Sequence, residues 1–264
     1  MTSNESFTPK ELKDSAALIV GGTAGIGAAT ATQLAAAGVP RIMIVGRNAE
    51  RGEATRAAVA SGNPCEVTFL AADATTVEGA ALVAAEAEKQ LGGVDILVCT
   101  TAADVQPELF ANIPTDDISR TFTQLALPSM YMASEILPHM SRRKTGVIIN
   151  VASDAGKTAT PGETVIGAAK AAIVMFTRTL AIEAKRSGIR VNVLTPSLVN
   201  GTGSTERITS AGFSAKLFAK AATQAHLGVP ESEDIAALAV FLASPAARRL
   251  TGQAVSVNGG IAAA

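Results

Sequence analysis

The sequence predicts an α/β fold, a doubly wound parallel sheet of about seven strands with helices on both faces. Three observations lead to this prediction. Hydrophobic residues make up 48% of the 264 residues and charged residues 17%, which provides a large core. Short apolar segments rich in Val, Ile and Leu recur along the chain, and stretches with helical spacing separate them. Such alternation is typical of parallel strands joined by right-handed crossovers.

The apolar segments are the predicted strands, in chain order 16–21, 41–46, 66–71, 94–99, 146–152, 189–195 and 253–257. Most of them lack polar alternation, so we expect strands that are buried on both faces of the sheet. The spacing of apolar residues predicts helices over 25–37, 77–91, 164–184 and 231–242. No linker or shift in composition divides the chain, so we expect a polar N-terminal extension at 1–14 and one domain over 15–264.

The stretch 199–228 interrupts this alternation. It contains several glycines and many Ser and Thr residues, and it follows the sixth predicted strand. Ligands of open α/β sheets bind at the carboxyl ends of the strands. We therefore predict a mobile flap over a ligand site here, the alternative being a plain surface excursion.

Composition and charge exclude several classes of partner. The net charge is −1 and no basic cluster is present, which disfavours binding to nucleic acid or to an anionic membrane. The two cysteines, Cys65 and Cys99, form no disulfide framework, and no residues have metal-ligand spacing, so we expect no metal. The first residues lack the apolar segment of a signal peptide, and no uncharged run reaches bilayer length. We expect a soluble, cytoplasmic protein.

The first predicted strand leads directly into a glycine-rich turn, Gly21-Gly22-Thr23-Ala24-Gly25-Ile26-Gly27, at which the first helix begins. Gly21 permits the tight turn, Gly25 lets the backbone approach a phosphate, and Gly27 lets the helix pack on the strand. The helix N-terminus offers free N–H groups and a positive dipole end to a pyrophosphate. This context predicts a dinucleotide site in a Rossmann-like fold, the alternative being a glycine-rich helix start that binds nothing. The predicted contacts are Gly21, Thr23, Gly25, Ile26 and Gly27.

The residues after the second and third strands predict which dinucleotide binds. An NAD(H) site needs a carboxylate after the second strand for the ribose 2′-hydroxyl, but Arg47 and Asn48 stand there. The guanidinium of Arg47 suits a 2′-phosphate, so NADP(H) is favoured over NAD(H); the alternative is a solvated arginine. After the third strand, Asp73 and Ala74 are predicted to lie at the adenine, with a helix N-cap as the alternative for Asp73.

Together with these motifs, the chain resembles the short-chain dehydrogenase/reductase family, from the glycine turn to Leu250-Thr251-Gly252-Gln253 and Val257-Asn258-Gly259-Gly260. Segment 146–153 resembles the family's fifth strand, which ends on the active-site serine, here Ser153. Lys170, followed by two alanines, matches the family's active-site lysine. The resemblance implies a nicotinamide-dependent oxidoreductase that acts on a small-molecule substrate and assembles as a homodimer or homotetramer. It also implies cofactor contacts at Thr100, Thr101, Lys170, Pro196 and Val199.

The sequence departs from the family at the catalytic tyrosine. In the family this residue stands four positions before the lysine, where this sequence has Ile166. The family's asparagine falls near Gln124 or Leu125. Isoleucine exchanges no proton, so carbonyl–alcohol interconversion by the usual route is not available, whereas hydride chemistry belongs to the cofactor. We expect a degenerate centre in which Ser153 holds a substrate oxygen and Lys170 holds ribose hydroxyls.

Three residues are candidates for a replacement acid. Glu163 lies seven residues before Lys170, which is the position of the acid tyrosine in the enoyl-thioester reductases that this sequence resembles. The alternative for Glu163 is a solvated turn residue. Asp154 directly follows Ser153, where burial raises the pKa of a carboxyl group. Tyr131 is the third candidate, although we expect it to pack in the middle of a helix.

These features predict an NADP(H)-dependent oxidoreductase that reduces a carbonyl, or a C=C bond conjugated to a carbonyl, in a small or acyl substrate. Reduction of an enone or enoyl group suits the altered centre better than reduction of a ketone, because the oxygen then needs only to be stabilised as an enolate. One alternative is a catalytically silent protein that binds a dinucleotide. Another is non-redox use of the same site, in an isomerisation or a cyclisation.

Overall fold

The structure, a computed structural model, describes residues 8–210 and 212–263. The first seven residues of the predicted N-terminal extension, residue 211 of the predicted flap and residue 264 lie outside the described residues. The described part of the extension is held to the sheet by Lys10, whose Nζ lies 2.7 Å from Asp95 Oδ2.

A seven-stranded parallel sheet forms the centre of the molecule, with the strand order β3-β2-β1-β4-β5-β6-β7. Its strands are β1 (Ala16–Val20), β2 (Arg41–Gly46), β3 (Glu66–Ala71), β4 (Ile96–Cys99), β5 (Gly146–Val151), β6 (Ile189–Leu194) and β7 (Ala254–Val255). The predicted doubly wound sheet is confirmed. Because the order reverses between β1 and β4, a crevice opens at the carboxyl ends of these two strands.

Burial follows the position of each strand in the sheet. All residues of β1, β4, β5 and β6 are buried, as their unbroken apolar sequences indicate. The edge strands differ, since β3 is exposed at both ends and β7 consists of two partly exposed residues. An edge strand has a neighbour on one side only, which the sequence pattern of a single strand does not reveal.

Helices cover both faces of the sheet. They are α1 (Gly25–Ala36), α2 (Ala49–Ala60), α3 (Val77–Leu91), α4 (Thr115–Leu125), α5 (Leu127–Arg143), α6 (Thr164–Ala184), α7 (Gly203–Ser210), α8 (Gly212–Ala222) and α9 (Ser232–Ala243). One core cluster joins the sheet to α3, α5 and α6, and a second joins it to α1, α2 and α9. The predicted three-layer arrangement is therefore what the chain adopts.

The segment after β6, where the sequence predicted a flap, contains two helices, α7 and α8. Thr202 Oγ1 accepts a hydrogen bond from the Thr205 N–H at 3.2 Å and so caps the first turn of α7. Phe218 of α8 is buried. At least one of the Ser and Thr residues that made this segment look like a loop, Thr202, is therefore a helix cap.

With the turn that follows it, helix α6 is long and apolar enough to cross a membrane by length and composition. An 18-residue window within 164–187 has a mean hydropathy of 1.6. Its buried residues nevertheless belong to the core. Leu180 and Ala181 pack in the same cluster as Ile148 of β5, and Thr177 Oγ1 accepts a hydrogen bond from Asn150 Nδ2 at 2.9 Å. Packing against the sheet accounts for the apolar character of α6.

Candidate active site

A cleft of about 840 Å³ opens at the carboxyl ends of the strands. Except for Asn48 and the candidate acid Tyr131, the residues that the sequence predicted for the site line the cleft: Gly21, Thr23, Gly25, Ile26, Gly27, Arg47, Asp73, Ala74, Thr100, Thr101, Ser153, Asp154, Glu163, Lys170, Pro196 and Val199. These residues follow different strands along the sequence. The common edge of the parallel sheet brings them together.

The glycine turn after β1 is built so tightly that side chains have no room. A Cβ atom on Gly27 would lie 2.6 Å from Thr100 Oγ1 and closer still to the carbonyl oxygen of Gly21. Gly21 and Gly25 have φ angles of +84° and +48°, which favour glycine. Thr100 Oγ1 donates to the Val20 carbonyl at 3.1 Å, so this threonine connects the loop after β4 to the residue before the turn.

The N-terminus of α1 faces the cleft without a side-chain cap. Its N-cap residue, Ala24, makes no side-chain hydrogen bond. The N–H groups of Gly25, Ile26 and Gly27 lie in the first turn, where a helix provides no acceptor, and all three residues line the cleft. Free N–H groups combined with the positive end of a helix dipole suit a pyrophosphate. The residues present therefore fit a dinucleotide.

In the loop after β2, Asn48 is not among the residues that line the cleft. Its side-chain oxygen accepts a hydrogen bond from the Arg51 N–H at 2.8 Å and caps α2, because asparagine is among the preferred N-cap residues. Asn48 therefore stabilises the helix, and Arg51 lines the cleft beside Arg47. Both guanidinium groups are exposed, and neither forms a salt bridge within the described ranges. The available sequence signal was a second arginine four residues after Arg47.

Asp73 forms the turn that follows β3. Its Oδ1 accepts a hydrogen bond from the Thr75 N–H at 3.0 Å, while Thr76 caps α3. The alternative of a helix N-cap thus applies to Thr76 and not to Asp73. Asp73 and the buried Ala74 both line the cleft, as do Arg47 and Arg51 after the neighbouring strand β2.

Ser153 and Lys170 line a further part of the cleft. Ser153 Oγ accepts a hydrogen bond from the Ala155 N–H at 3.2 Å, which leaves its own O–H available as a donor. Lys170 is 9% exposed, and its Nζ donates to the Val151 carbonyl at 3.5 Å. Burial lowers the pKa of Lys170 to about 8, and the negative charge of Glu163 opposes this effect. The two residues supply a hydroxyl donor and an amine that titrates near neutral pH.

Glu163, Ile166 and Lys170 come from successive turns at the start of α6, and all three line the cleft. Burial raises the pKa of Glu163 to about 7, with a smaller contribution from Asp154; a hydrogen bond with Thr160 and the charge of Lys170 act in the opposite direction. Ile166 packs against an apolar cluster that includes residues of α4 and α6. This part of α6 therefore offers one carboxyl group and one amine on either side of an aliphatic side chain.

The other two candidate acids have structural partners. Asp154 is 6% exposed, its Oδ1 accepts a hydrogen bond from Ser256 Oγ at 3.0 Å, and its Oδ2 accepts one from the amide of Asn258. With both oxygens engaged, this carboxylate joins the C-terminal segment to the turn after β5. Tyr131 of α5 packs against the core, as expected from its place in the helix.

The flap contributes a wall of the cleft, in agreement with its predicted place over the ligand site, but the sequence did not indicate which side chains form that wall. Apolar side chains from the flap and from α4 line the cleft: Leu125, Ile208, Leu217 and Phe218. Arg207 of α7 donates to the Ala103 carbonyl at 2.9 Å, and its Nε lies 3.1 Å from Asp104 Oδ1. These contacts connect the flap to the loop after β4. The neighbouring Gln124 has a buried amide oxygen without a partner in the described part of the chain.

Comparison with known proteins gives consistent results. A family model described as enoyl-(acyl carrier protein) reductase matches residues 21–262. A 7alpha-hydroxysteroid dehydrogenase of Bacteroides fragilis is 30% identical over 253 residues, covering 92% of this chain and 93% of the relative. A 3-oxoacyl-(acyl-carrier-protein) reductase FabG of Chlamydia muridarum is 31% identical over 258 residues, covering 95% and 98%.

Solved structures have the same fold. A short-chain type dehydrogenase/reductase from Mycobacterium ulcerans has a TM-score of 0.87 at 26% identity, covering 96% of this chain and 91% of that chain. A 7α-hydroxysteroid dehydrogenase complexed with NADH and 7-oxo glycochenodeoxycholic acid has a TM-score of 0.86 at 26% identity, covering 98% of each chain.

Proposed function

We propose that this chain, which belongs to the short-chain dehydrogenase/reductase family, is an NADP(H)-dependent oxidoreductase that reduces a C=C bond conjugated to a carbonyl in a small or acyl substrate. The proposal depends on one observation: the same cleft contains both the glycine turn and the Ser153–Lys170 pair. Ile166 occupies the wall one turn before Lys170, where the family has its proton-donating tyrosine. A conjugated substrate suits such a centre, because its oxygen needs only to be stabilised as an enolate.

Different residues around the glycine turn are suited to different parts of the cofactor. Bound NADPH would supply a hydride. The first turn of α1 would bind the pyrophosphate, Arg47 and Arg51 would bind the 2′-phosphate, and Lys170 would bind the ribose hydroxyls. The related 7α-hydroxysteroid dehydrogenase was solved with NADH, so the preference for NADP(H) in this chain depends on the two arginines.

The residues of the substrate end bind and shield the reacting group. Ser153 donates its O–H to the substrate oxygen and stabilises negative charge that develops there. The apolar flap wall, with Leu217 and Phe218, favours an apolar substrate. The names of the two relatives, a hydroxysteroid dehydrogenase and a 3-oxoacyl carrier-protein reductase, support substrates with extended apolar parts.

The proposal includes a cytoplasmic protein that assembles as a homodimer or homotetramer. Support for self-association comes from α6, where Met175 and Ile182 are 59% and 60% exposed and lie two helical turns apart on one face. Size-exclusion chromatography with light scattering measures the oligomeric state, and a monomer at micromolar concentration would contradict this part of the proposal.

Oxidation of NADPH by the purified protein tests the function. The substrates are a panel of enones, enoyl thioesters and simple ketones of matched chain length, and binding of NADPH and NADH is measured separately by fluorescence. Turnover of the conjugated substrates alone is the expected result. Equal turnover of simple ketones would refute the assignment to C=C reduction. Tight NADPH binding without any turnover would identify a silent binding protein, and product formation without NADPH consumption would identify non-redox chemistry.

A further inference from the structure

The cleft contains an acidic side chain whose role the proposed function leaves open. Glu163 stands at the N-terminus of α6, directly after Gly162, which has a φ angle of +84°. The Glu163 N–H donates to the Thr160 carbonyl at 3.1 Å, and the Gly162 carbonyl accepts a hydrogen bond from the Glu108 N–H at 2.8 Å. The turn that presents Glu163 to the cleft is thus held at two points.

Helix geometry aligns Glu163 with the lysine of the centre. A separation of seven residues is close to two turns, about 10.5 Å along the helix axis, so Glu163 and Lys170 project from the same face of α6. Ile166 lies between them on that face, and all three line the cleft. The carboxyl group of Glu163 is therefore an ionisable group that lies next to Ile166 on the same helix.

The other acidic residue of this region is committed elsewhere. Both carboxylate oxygens of Asp154 accept hydrogen bonds from the C-terminal segment, one from Ser256 and one from Asn258. Protonation of Asp154 would cost one of these bonds. Glu163 is in none of the salt bridges that the described residues form. Of the two carboxyl groups, Glu163 is the one that can hold a transferable proton without breaking the structure.

We propose that Glu163 is the proton donor of this centre and replaces the missing tyrosine from the opposite side of Ile166. The inference rests on the proposed function, which supplies the electron pair through NADPH. In the step, the carboxyl O–H bond of Glu163 breaks and a new bond forms between that proton and the substrate atom that carries negative charge after the two-electron reduction. Glu163 is left as a carboxylate and regains a proton from water that enters the cleft.

The electrostatics of the cleft are suitable for this role. The groups that act on Glu163 are Lys170 of its own helix, Asp154 of the turn after β5 and Thr160 of the preceding loop. Burial outweighs the attraction of Lys170, so the pKa of Glu163 rises to about 7 and a large fraction of the carboxyl remains protonated at neutral pH. A general acid is most efficient when its pKa is close to the working pH.

The test compares E163Q with the matched control E108Q on the adjoining loop, where the Glu108 carboxylate accepts bonds from Leu109 and Asn112. The first readout needs no cofactor. Infrared difference spectra of the unloaded protein should show a carboxyl group that titrates near pH 7 in the wild type and in E108Q and that is missing in E163Q. A second readout is the pKa of Lys170, measured by NMR, which should fall in E163Q because an opposing negative charge is removed.

Activity then separates this inference from the proposed function. We expect E163Q to bind NADPH as the wild type does and its kcat to be about 100-fold lower. The wild-type rate should decline as pH rises through 7, and this decline should be absent in E163Q. Wild-type kcat in E163Q, or a Glu163 carboxyl that titrates near 4.5, would overturn the role of Glu163 and leave the reductase intact. Absence of NADPH oxidation by the wild type overturns both. Partial recovery in E163D at wild-type NADPH affinity would support proton donation.

Discussion

The two arginines after β2 allow a sharp test of cofactor choice. Replacing Arg47 or Arg51 by alanine removes one exposed guanidinium from the cleft and leaves the glycine turn and the N-cap of α2 in place. A hydrogen bond to a charged group contributes about 1.5–3 kcal/mol, and exposure to solvent places these two at the lower end. Since about 1.4 kcal/mol corresponds to a factor of 10, each single variant should bind NADPH roughly 10-fold more weakly.

The double variant should lose less than the product of the two single effects, because both side chains act on one phosphate and their contributions are coupled. Affinity for NADH should remain within about twofold, because NADH lacks the 2′-phosphate on which the predicted contribution of the two arginines depends. The measurement is fluorescence titration with NADPH and with NADH at two salt concentrations, since higher salt weakens interactions between exposed charges.

Arg56→Ala is the matched control for this experiment. Arg56 lies on the same helix, and its Nε pairs with Glu53 at 2.6 Å on the exposed surface. This variant should bind both nucleotides as the wild type does. An equal loss of NADPH and NADH affinity in Arg47→Ala and Arg51→Ala, or no loss at all, would refute the assignment of the arginine pair to the 2′-phosphate.

Three further predictions follow from packing and charge. In Gly27→Ala the new methyl group meets the Gly21 carbonyl, so dinucleotide binding should fall and urea denaturation should show a loss of about 1–3 kcal/mol. Gly203→Ala, which has no atom within 4 Å of the added carbon, is the control for stability and should unfold as the wild type does; an equal loss in both variants would contradict the steric argument. The guanidinium of Arg190 donates to four carbonyl groups around the end of α9, and Arg190→Met should lower the free energy of unfolding by about 3 kcal/mol; a loss below about 1 kcal/mol would contradict this role. Because the pKa of Glu163 is raised, the folded state binds more protons than the unfolded state between about pH 4.5 and 7, so the contribution of Glu163 to stability is complete below pH 4.5 and is lost as pH rises through 7. Chemical denaturation across this range should show that the free energy of unfolding depends less on pH in E163Q than in the wild type, and identical pH dependence would contradict the prediction.

Local sequence patterns predicted the main features of the fold. The strands β2 and β3 and the helices α3 and α6 begin and end at the predicted residues. The glycine turn was also predictable, because steric limits on a tight turn act between neighbours in the chain. These features depend on short-range properties, namely the period of apolar residues, backbone freedom and helix capping.

The site was predictable only in part. Asn48 and Arg51 are close in sequence, but the choice between them depended on which side chain caps α2 and which turns toward the cleft. Asp154 and Glu163 were equivalent as candidate acids until folding placed Ser256 and Asn258 against Asp154. The helices α7 and α8 of the flap were not predicted, because the Gly, Ser and Thr residues of this segment are typical of loops.

Local sequence patterns were therefore sufficient to predict the parallel sheet and the glycine turn, and they place Ile166 at the fourth position before Lys170. Only the tertiary structure shows which carboxyl group is engaged in hydrogen bonds, which one is partly buried in the cleft with Lys170, and which arginines face the cleft. The physical reason is that burial and hydrogen bonding depend on groups far apart in the chain: the partners of Asp154 lie 102 and 104 residues away.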